Sequence, residues 1–337
     1  MIHHGDCLDI LPTLDDESVD AVITDPPYGL KFMGKDWDHG VPGVPYWQAV
    51  GGVLKPGAFL VAFGGTRTHH RLMVAIEDAG FEIRDCLMWL HGQGFPKGKS
   101  QLKPAWEPII LARKAGPLPP LNIDECRIHT AGSEAKAYTV KRLKPGATLE
   151  KTGGNWRPKD GESLPWESGR EYEGTTKDGR WPANVVLDEE AARLLDEQSG
   201  HLVSNSGKPF ARTAGKTRNS YGAFPGNLTE PGYYGDNGGA SRFFYCAKAS
   251  PSERGRFNDH PTVKPLALMR WLVRLVTPSG GVVLDPFLGS GTTALACQRE
   301  GFECIGIERD EHSVEIAARR LMQPSLTLGL EVPEGVA

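Results

Sequence analysis

A chain of 337 residues, 39% of them hydrophobic, can bury a full core as one large domain with an insertion or as two domains. The net charge of −4 does not advertise a nucleic-acid binder, and the distribution of the charge matters more than its sum. No run reaches the length of a membrane helix, and the first residues lack a signal peptide's basic and apolar regions. A soluble, cytoplasmic protein with no membrane partner is therefore expected. Cys7, Cys86, Cys126, Cys246, Cys297 and Cys304 form no CxxC pair and no zinc-ligand spacing. His3-His4 and His69-His70 are adjacent rather than a helical turn apart, so no metal site is expected.

Residues 1–115 read as alternating strands and helices. Residues 1–4 suit a short strand, followed by Gly5-Asp6, and residues 8–14 a brief helix. Residues 19–23 are an apolar run of the kind found in a buried strand. Residues 47–53 read as a helix stopped by Lys55-Pro56-Gly57, and residues 58–63 as a strand leading into Gly64-Gly65. A helix over 70–79 stops at Gly80, and strands are expected over 81–90 and 108–112. The alternation predicts an α/β fold with a mostly parallel sheet covered by helices.

The stretch Thr24-Asp25-Pro26-Pro27-Tyr28-Gly29 follows the buried strand, where open α/β sheets place their ligands. Neither proline donates a backbone hydrogen bond, and Pro26 biases Asp25 toward an extended conformation. A stiff turn thus presents a carboxylate, free carbonyls and an aromatic ring. That set suits a flat substrate with an amino group: Tyr28 stacks on the plane, while Asp25 and the Pro26 carbonyl accept from the NH2. Taken alone, these residues fit equally well a proline-rich loop with Tyr28 as an ordinary packing aromatic.

From 116 to 241 glycine, proline and polar residues dominate. One ordered island stands out over 181–187, followed by a helix over 189–198 that ends at Gly200. Residues 136–159 hold seven Lys or Arg, Lys141 and Arg142 among them, against the single acid Glu150. Lys208, Arg212, Lys216 and Arg218 fall in 204–218, which has no acid. Interleaved aromatics such as Tyr138, Trp156 and Tyr221 make these segments candidates for phosphate and base contact. A solvated insertion explains the composition as well.

A strand over 242–246 resumes the ordered pattern, followed by His260-Pro261-Thr262-Val263-Lys264-Pro265 and an amphipathic helix over 266–276. Strands over 281–284 and 302–307 and a helix over 311–321 come next, and residues 325–337 read as a tail. Between them, Asp285-Pro286-Phe287-Leu288-Gly289-Ser290-Gly291-Thr292 is a strand end, a glycine turn and a helix start. Glycines there let a ligand approach the backbone, and Glu308, at the end of the next strand, is placed to bind ribose hydroxyls. A P-loop is excluded because Thr292 stands where the lysine would be. A nicotinamide dinucleotide fits the glycines moderately. S-adenosyl-L-methionine fits better, because Asp285 can face its ammonium or sulfonium region but would repel a pyrophosphate.

Together these segments resemble the amino-group (adenine-N6 or cytosine-N4) DNA methyltransferases of the β arrangement, in which the catalytic motif precedes the cofactor motif. Asp25-Pro26-Pro27-Tyr28 matches the catalytic motif, and Asp285 to Thr292 the cofactor loop. The segment holding Thr262 and Lys264 matches the motif that lines the methionine end of the cofactor. Asp6 matches the acid that contacts adenine, and Glu308 the ribose-binding acid. Trp106-Glu107-Pro108-Ile109 resembles a more degenerate family element. One departure lies at the substrate-side wall: His91-Gly92-Gln93-Gly94 intervene before Lys97, where members often carry a lysine closer to the tryptophan.

The resemblance implies a doubly wound, Rossmann-like methyltransferase sheet built from 1–115 and 242–324, with 116–241 as a target-recognition insertion. It implies Asp25, Pro26, Pro27 and Tyr28 as the catalytic set. Asp6, Thr262, Lys264, Asp285, Phe287, Gly289, Gly291, Thr292 and Glu308 would hold S-adenosyl-L-methionine. Double-stranded DNA is the expected partner, gripped by Lys141, Arg142, Lys208, Arg212, Lys216 and Arg218, which gives a nucleoid-associated protein. A homodimer and a cognate restriction endonuclease are compatible further partners. Asp at the first motif position leans toward adenine N6, with cytosine N4, RNA or protein as alternative targets. A binding-only relative is the rival of another class. The intact Asp25, Tyr28, Gly289, Gly291 and Glu308 argue against it.

Overall fold

The computed structural model describes residues 1–30, 38, 40–92, 94, 99–100, 102–129, 137–141, 149–152, 155–158, 171–175, 178–203, 237–247, 258 and 263–322. The first half runs β1 (Ile2–His4), α1 (Cys7–Ile10), β2 (Val19–Thr24), α2 (Val44–Val53), β3 (Leu54–Phe63), α3 (His69–Asp78), β4 (Phe81–Leu90) and β5 (Trp106–Lys114). Short hairpin strands follow: β6 (Ala137–Lys141) pairs with β9 (Glu171–Thr175), and β7 (Leu149–Thr152) with β8 (Asn155–Pro158). Then come β10 (Val185–Asp188), α4 (Glu189–Ser199), β11 (Leu202–Val203), β12 (Asn237–Gly238) and β13 (Tyr245–Ala247). The chain continues through α5 (Leu266–Val276), β14 (Val282–Asp285), α6 (Thr292–Glu300), β15 (Glu303–Glu308) and α7 (Glu311–Met322).

Nine strands form one sheet in the order β1-β15-β14-β2-β3-β5-β4-β10-β13. Every pairing is parallel except the two made by β5. The expected mostly parallel α/β sheet is therefore present. β3 shows why it is buried on both faces. Phe59, Val61 and Phe63 join the cluster under α5 and α6, with Trp271 and Leu268, while Leu60 and Ala62 join Trp47, Leu72 and Ile76 under α2 and α3. A strand with helices on both sides reads as a continuous apolar run, as residues 58–63 do.

Three boundaries differ from the sequence expectation. The helix at 8–14 closes after Ile10 and continues as a 3-10 turn, Leu11–Thr13, because Pro12 has no N–H to extend the ladder. Lys55-Pro56-Gly57 is not a turn before the strand but a bulge within β3: Leu54 pairs with Val19, and the register then jumps to Phe59 opposite Ala21. The strand expected over 242–246 begins later. Ala240–Phe243 is a 3-10 turn, and β13 starts at Tyr245.

Residues 185–188 of the expected insertion join the main sheet, with β10 lying between β4 and β13. Asp188 closes this junction. One of its carboxylate oxygens accepts the Ala191 N–H at 2.6 Å, capping α4, and both lie 3.2 Å from the Gly92 N–H after β4. Among the described residues no helix is long and apolar enough to cross a membrane, and no cluster of His, Cys, Asp or Glu is placed to hold a metal ion.

Candidate active site

All parallel strands of the sheet deliver their carboxyl ends to one edge. β5 runs the other way, so its first residues, Trp106 and Glu107, arrive at that same edge, opposite Leu90 and Trp89. Asp25 follows the last residue of β2, and Lys264 precedes α5. Three segments far apart in the chain, after β2, at the start of β5 and before α5, thus meet at one place.

There they form a closed polar network. The Lys264 ammonium lies 2.7 Å from Asp25 Oδ2 and 3.3 Å from Glu107 Oε2. The Tyr28 hydroxyl lies 2.8 Å from Asp25 Oδ1 and 3.0 Å from Glu107 Oε2. Lys264 Nζ also sits over two aromatic faces, 5.3 Å from the Tyr28 centroid and 5.0 Å from that of Phe63. The Lys264 side chain is 9% exposed. Burial pulls its pKa down, but the Asp25 and Glu107 carboxylates outweigh it and hold the ammonium above its ordinary value. Burial pushes the Tyr28 phenol well above its usual range, and the two carboxylates add to the effect.

The loop carrying Asp25 and Tyr28 is tied down on both sides. Thr68 Oγ1 donates to the Tyr28 carbonyl at 2.6 Å. The buried Asp38 carboxylate accepts the N–H groups of Gly29 at 2.6 Å and Leu30 at 3.0 Å. Gly29 turns the chain with φ of +66°, and a Cβ there would come within 3.0 Å of the Gly40 backbone.

Beside the network lies a cavity of about 480 Å³, lined by Asp6, Asp25, Lys264, Phe287, Gly289 and Glu308 among others. Asp25, the glycine turn and Asp6 follow β2, β14 and β1, and Glu308 ends β15, four strands adjacent in the sheet. At the usual strand spacing, their three steps span about 14 Å. Phe287 and Tyr46 pack with ring centroids 6.1 Å apart on its wall.

Several cofactor-loop side chains are committed to the protein itself. Asp285 is buried; its Oδ1 accepts from the Thr24 hydroxyl at 2.6 Å and the Phe287 N–H at 3.1 Å, and its Oδ2 from the Thr293 hydroxyl at 2.5 Å. Burial raises the Asp285 pKa to about 6 against the lowering effect of these donors. Glu308 accepts the Gly289 N–H at 2.7 Å and the Asp310 N–H at 2.8 Å, which fixes the turn to the end of β15. Asp6 Oδ1 caps α1 through the Leu8 N–H at 2.9 Å. The Thr292 hydroxyl takes a 3.0 Å bond from the buried Arg320 guanidinium. Gly291 has φ of +82°, and a Cβ there would lie 2.7 Å from Ala317 Cβ on α7.

The chain matches the N6/N4 methyltransferase family, described as DNA methylase, over residues 19–319. The chain belongs to this DNA methylase family. The methylase is 25% identical to the Type II methyltransferase M.ScaI of Streptomyces caespitosus over 324 residues, 95% of this chain and 81% of that one. It is 44% identical to M.SmaI of Serratia marcescens over 65 residues, 19% of this chain and 22% of that one. A solved PvuII DNA methyltransferase, cytosine-N4-specific, resembles the methylase in fold with a TM-score of 0.53 at 16% identity, over 97% of this chain and 87% of that one.

In the methylase, Asp25, Pro27, Asp6, Lys264, Asp285, Phe287, Gly289, Thr292 and Glu308 line one cavity. Tyr28 stands next to it through Asp25. Gly291 is turned toward α7. Thr262, Arg142, Lys208, Arg212, Lys216 and Arg218 lie outside the described residues, and Lys141 is the last residue of β6. Glu107, Thr68, Asp38 and Tyr46 are additions from the structure. Only Glu107 had a sequence signal, as part of the degenerate Trp106-Glu107-Pro108 element.

Proposed function

We propose that this methylase transfers a methyl group from S-adenosyl-L-methionine to the N6 amine of an adenine flipped out of double-stranded DNA. The observation that carries the reading is the Asp25 carboxylate, held between Lys264 and Tyr28 at the rim of the acid-rich cavity. The cavity's donor set fits the cofactor. Asp6, Asp25, Glu308 and Asp310 outnumber the lining cations Lys264 and Arg309, the first of which is already paired with Asp25, and favour a cationic nucleoside rich in N–H and O–H donors over a phosphate-bearing ligand. Its volume, about 480 Å³, falls within the range of small-ligand pockets.

Glu308 keeps lone pairs for ribose hydroxyls while its backbone partners hold it still, and Asp6, whose Oδ1 caps α1, can offer Oδ2 to an amine. Phe287 and Tyr46 supply flat apolar walls. When bound, S-adenosylmethionine supplies an electrophilic methyl group, whose bond to sulfur breaks, leaving its pair on sulfur, as the amine lone pair forms the N–C bond. An exocyclic amine is a poor nucleophile because that lone pair is delocalised into the ring. Asp25 and the Pro26 carbonyl accept its two N–H groups and favour a pyramidal nitrogen with the pair localised. Tyr28 offers its ring to the flipped base. Positioning and fixed electrostatics do the work, since the loop is already locked by Thr68 and Asp38.

A carboxylate at position 25, the first of the motif, is what supports adenine over cytosine. The Type II relatives support a site-specific enzyme paired with a restriction endonuclease. The test is to incubate the protein with DNA and cofactor, hydrolyse the DNA and identify the bases by mass spectrometry. N6-methyladenine is expected. N4-methylcytosine would move the target to cytosine, and unmodified DNA would overturn the proposal.

A further inference from the structure

Methylating an exocyclic amine releases a proton, and the network around Asp25 has room for one. We propose that Glu107 is the proton outlet of the reaction, reached from Asp25 through the Tyr28 hydroxyl. The inference rests on the reading of Asp25 as the carboxylate that holds the target amine.

Two carboxylates face the Tyr28 oxygen, Asp25 at 2.8 Å and Glu107 at 3.0 Å, yet the phenol has one hydrogen. That hydrogen satisfies one of them at a time. The other contact is an approach of two oxygens that becomes a hydrogen bond when one more proton arrives. The triangle is thus one proton short of its contacts, the number the reaction releases.

The steps balance. As the N–C bond forms, the nitrogen becomes cationic and its N–H acidic. The N–H bond breaks, its pair returns to nitrogen, and an O–H forms on Asp25. Asp25 is then neutral and must be reset before the next turnover. Lys264 cannot take the proton, because the two carboxylates keep it a full ammonium. Tyr28 can take it at oxygen while giving up its own. The Asp25 O–H breaks as a new Tyr28 O–H forms, and the original Tyr28 O–H breaks as one forms on Glu107 Oε2. Each electron pair stays on its oxygen, and one negative charge passes from Glu107 to Asp25. Tyr28 never becomes a phenolate, in keeping with the burial and carboxylates that oppose its ionisation. The base seated on Asp25 covers that carboxylate. Glu107, at the start of β5, is 27% exposed and is not among the residues that line the cavity, so the base does not cover it.

Glu107→Gln keeps the size of the side chain and its bond to Tyr28 but accepts no proton. Because Asp25 must give up its proton before the next turnover, steady-state methylation should fall by about a hundredfold, while cofactor and DNA affinities stay at the parent's values. Glu107→Asp, which retains a carboxylate, should recover part of the rate. In Glu107→Ala, added formate or acetate should restore methylation in order of basicity, and acetamide should not. A readout independent of turnover is the ultraviolet titration of the tyrosines, with Tyr28 identified by Tyr28→Phe. In Glu107→Gln its ionisation should move to lower pH. A Gln variant with the parent's rate, or rescue by acetamide as good as by acetate, would leave Glu107 a spacer and overturn the proposal. If the parent methylates no DNA, the reading of Asp25 falls and this inference with it. If the parent methylates and the Gln variant does so equally well, Glu107 alone is rejected.

Discussion

Thr24 donates its hydroxyl to Asp285 Oδ1 at 2.6 Å, joining the last residue of β2 to the last residue of β14, 261 positions away in the chain. The loop that carries Asp25 and the glycine turn beside the cavity are therefore pinned to each other at their roots. Thr24→Val keeps the shape and removes the donor, leaving a buried carboxylate one bond poorer. The unfolding free energy should drop by about 1–3 kcal/mol. Urea titration should show a lower midpoint with an unchanged slope; an unmoved midpoint would show that Thr293 and the Phe287 N–H suffice.

The same carboxylate makes stability depend on pH. Burial raises the Asp285 pKa to about 6 in the folded protein, against about 3.9 for an unfolded Asp. Between those values the folded state binds the extra proton. Its contribution is present in full below about pH 4 and is lost as pH rises through about 6, a swing on the order of 3 kcal/mol. Asp285→Asn should remove that swing. The difference in unfolding free energy between variant and parent should move in the variant's favour from pH 4 to pH 7, the two ends of the titration. A constant difference would mean that Asp285 does not titrate there.

Asp25 and Glu308 sit on one edge two strand steps apart, with β14 between them, and their substitutions should separate. Asp25→Ala should slow methyl transfer by at least about a hundredfold with cofactor affinity retained. Glu308→Ala, which also frees the Gly289 and Asp310 N–H groups, should weaken cofactor binding by about tenfold or more. Calorimetry and single-turnover rates measured on both proteins decide. Parallel loss of affinity and rate in Asp25→Ala would contradict its assignment to the acceptor.

Gly291→Ala asks for a left-handed residue whose Cβ lies 2.7 Å from Ala317 Cβ. The strain and the forced shift of α7 should together cost about 2 kcal/mol or more. Thermal unfolding measures it, and an unchanged melting temperature would show that α7 yields freely.

The sequence was most legible where one physical signal dominates. The buried strands β2, β3 and β14 declare themselves as apolar runs, and Asp25-Pro26-Pro27-Tyr28 sits where the first of them ends. The bulge at Lys55-Pro56-Gly57 was illegible because proline and glycine mark turns far more often than a strand that continues past them. Glu107 carries only the weak signal of a degenerate element, for a topological reason. The rule that ligands gather after strands holds for parallel strands, and Glu107 reaches the site at the beginning of one that runs backwards. The commitments of Asp285 and Thr292 to Thr24 and Arg320 depend on contacts hundreds or tens of residues apart, which no local pattern encodes.

The place of β1 has a consequence for how such chains can be rearranged. β1 pairs with β15, and α7 packs against β1, so the segment before Asp6 and the segment after Glu308 lie side by side. A short bridge from the end of α7 to the start of β1, with a new opening cut in an exposed loop such as the one around residues 116–120, would leave every strand pairing intact. The glycine turn would then precede Asp25 along the polypeptide while both kept their places in space. Motif order in this architecture is a matter of where the ring of elements is opened, and a circularly permuted protein should fold and bind as the parent does.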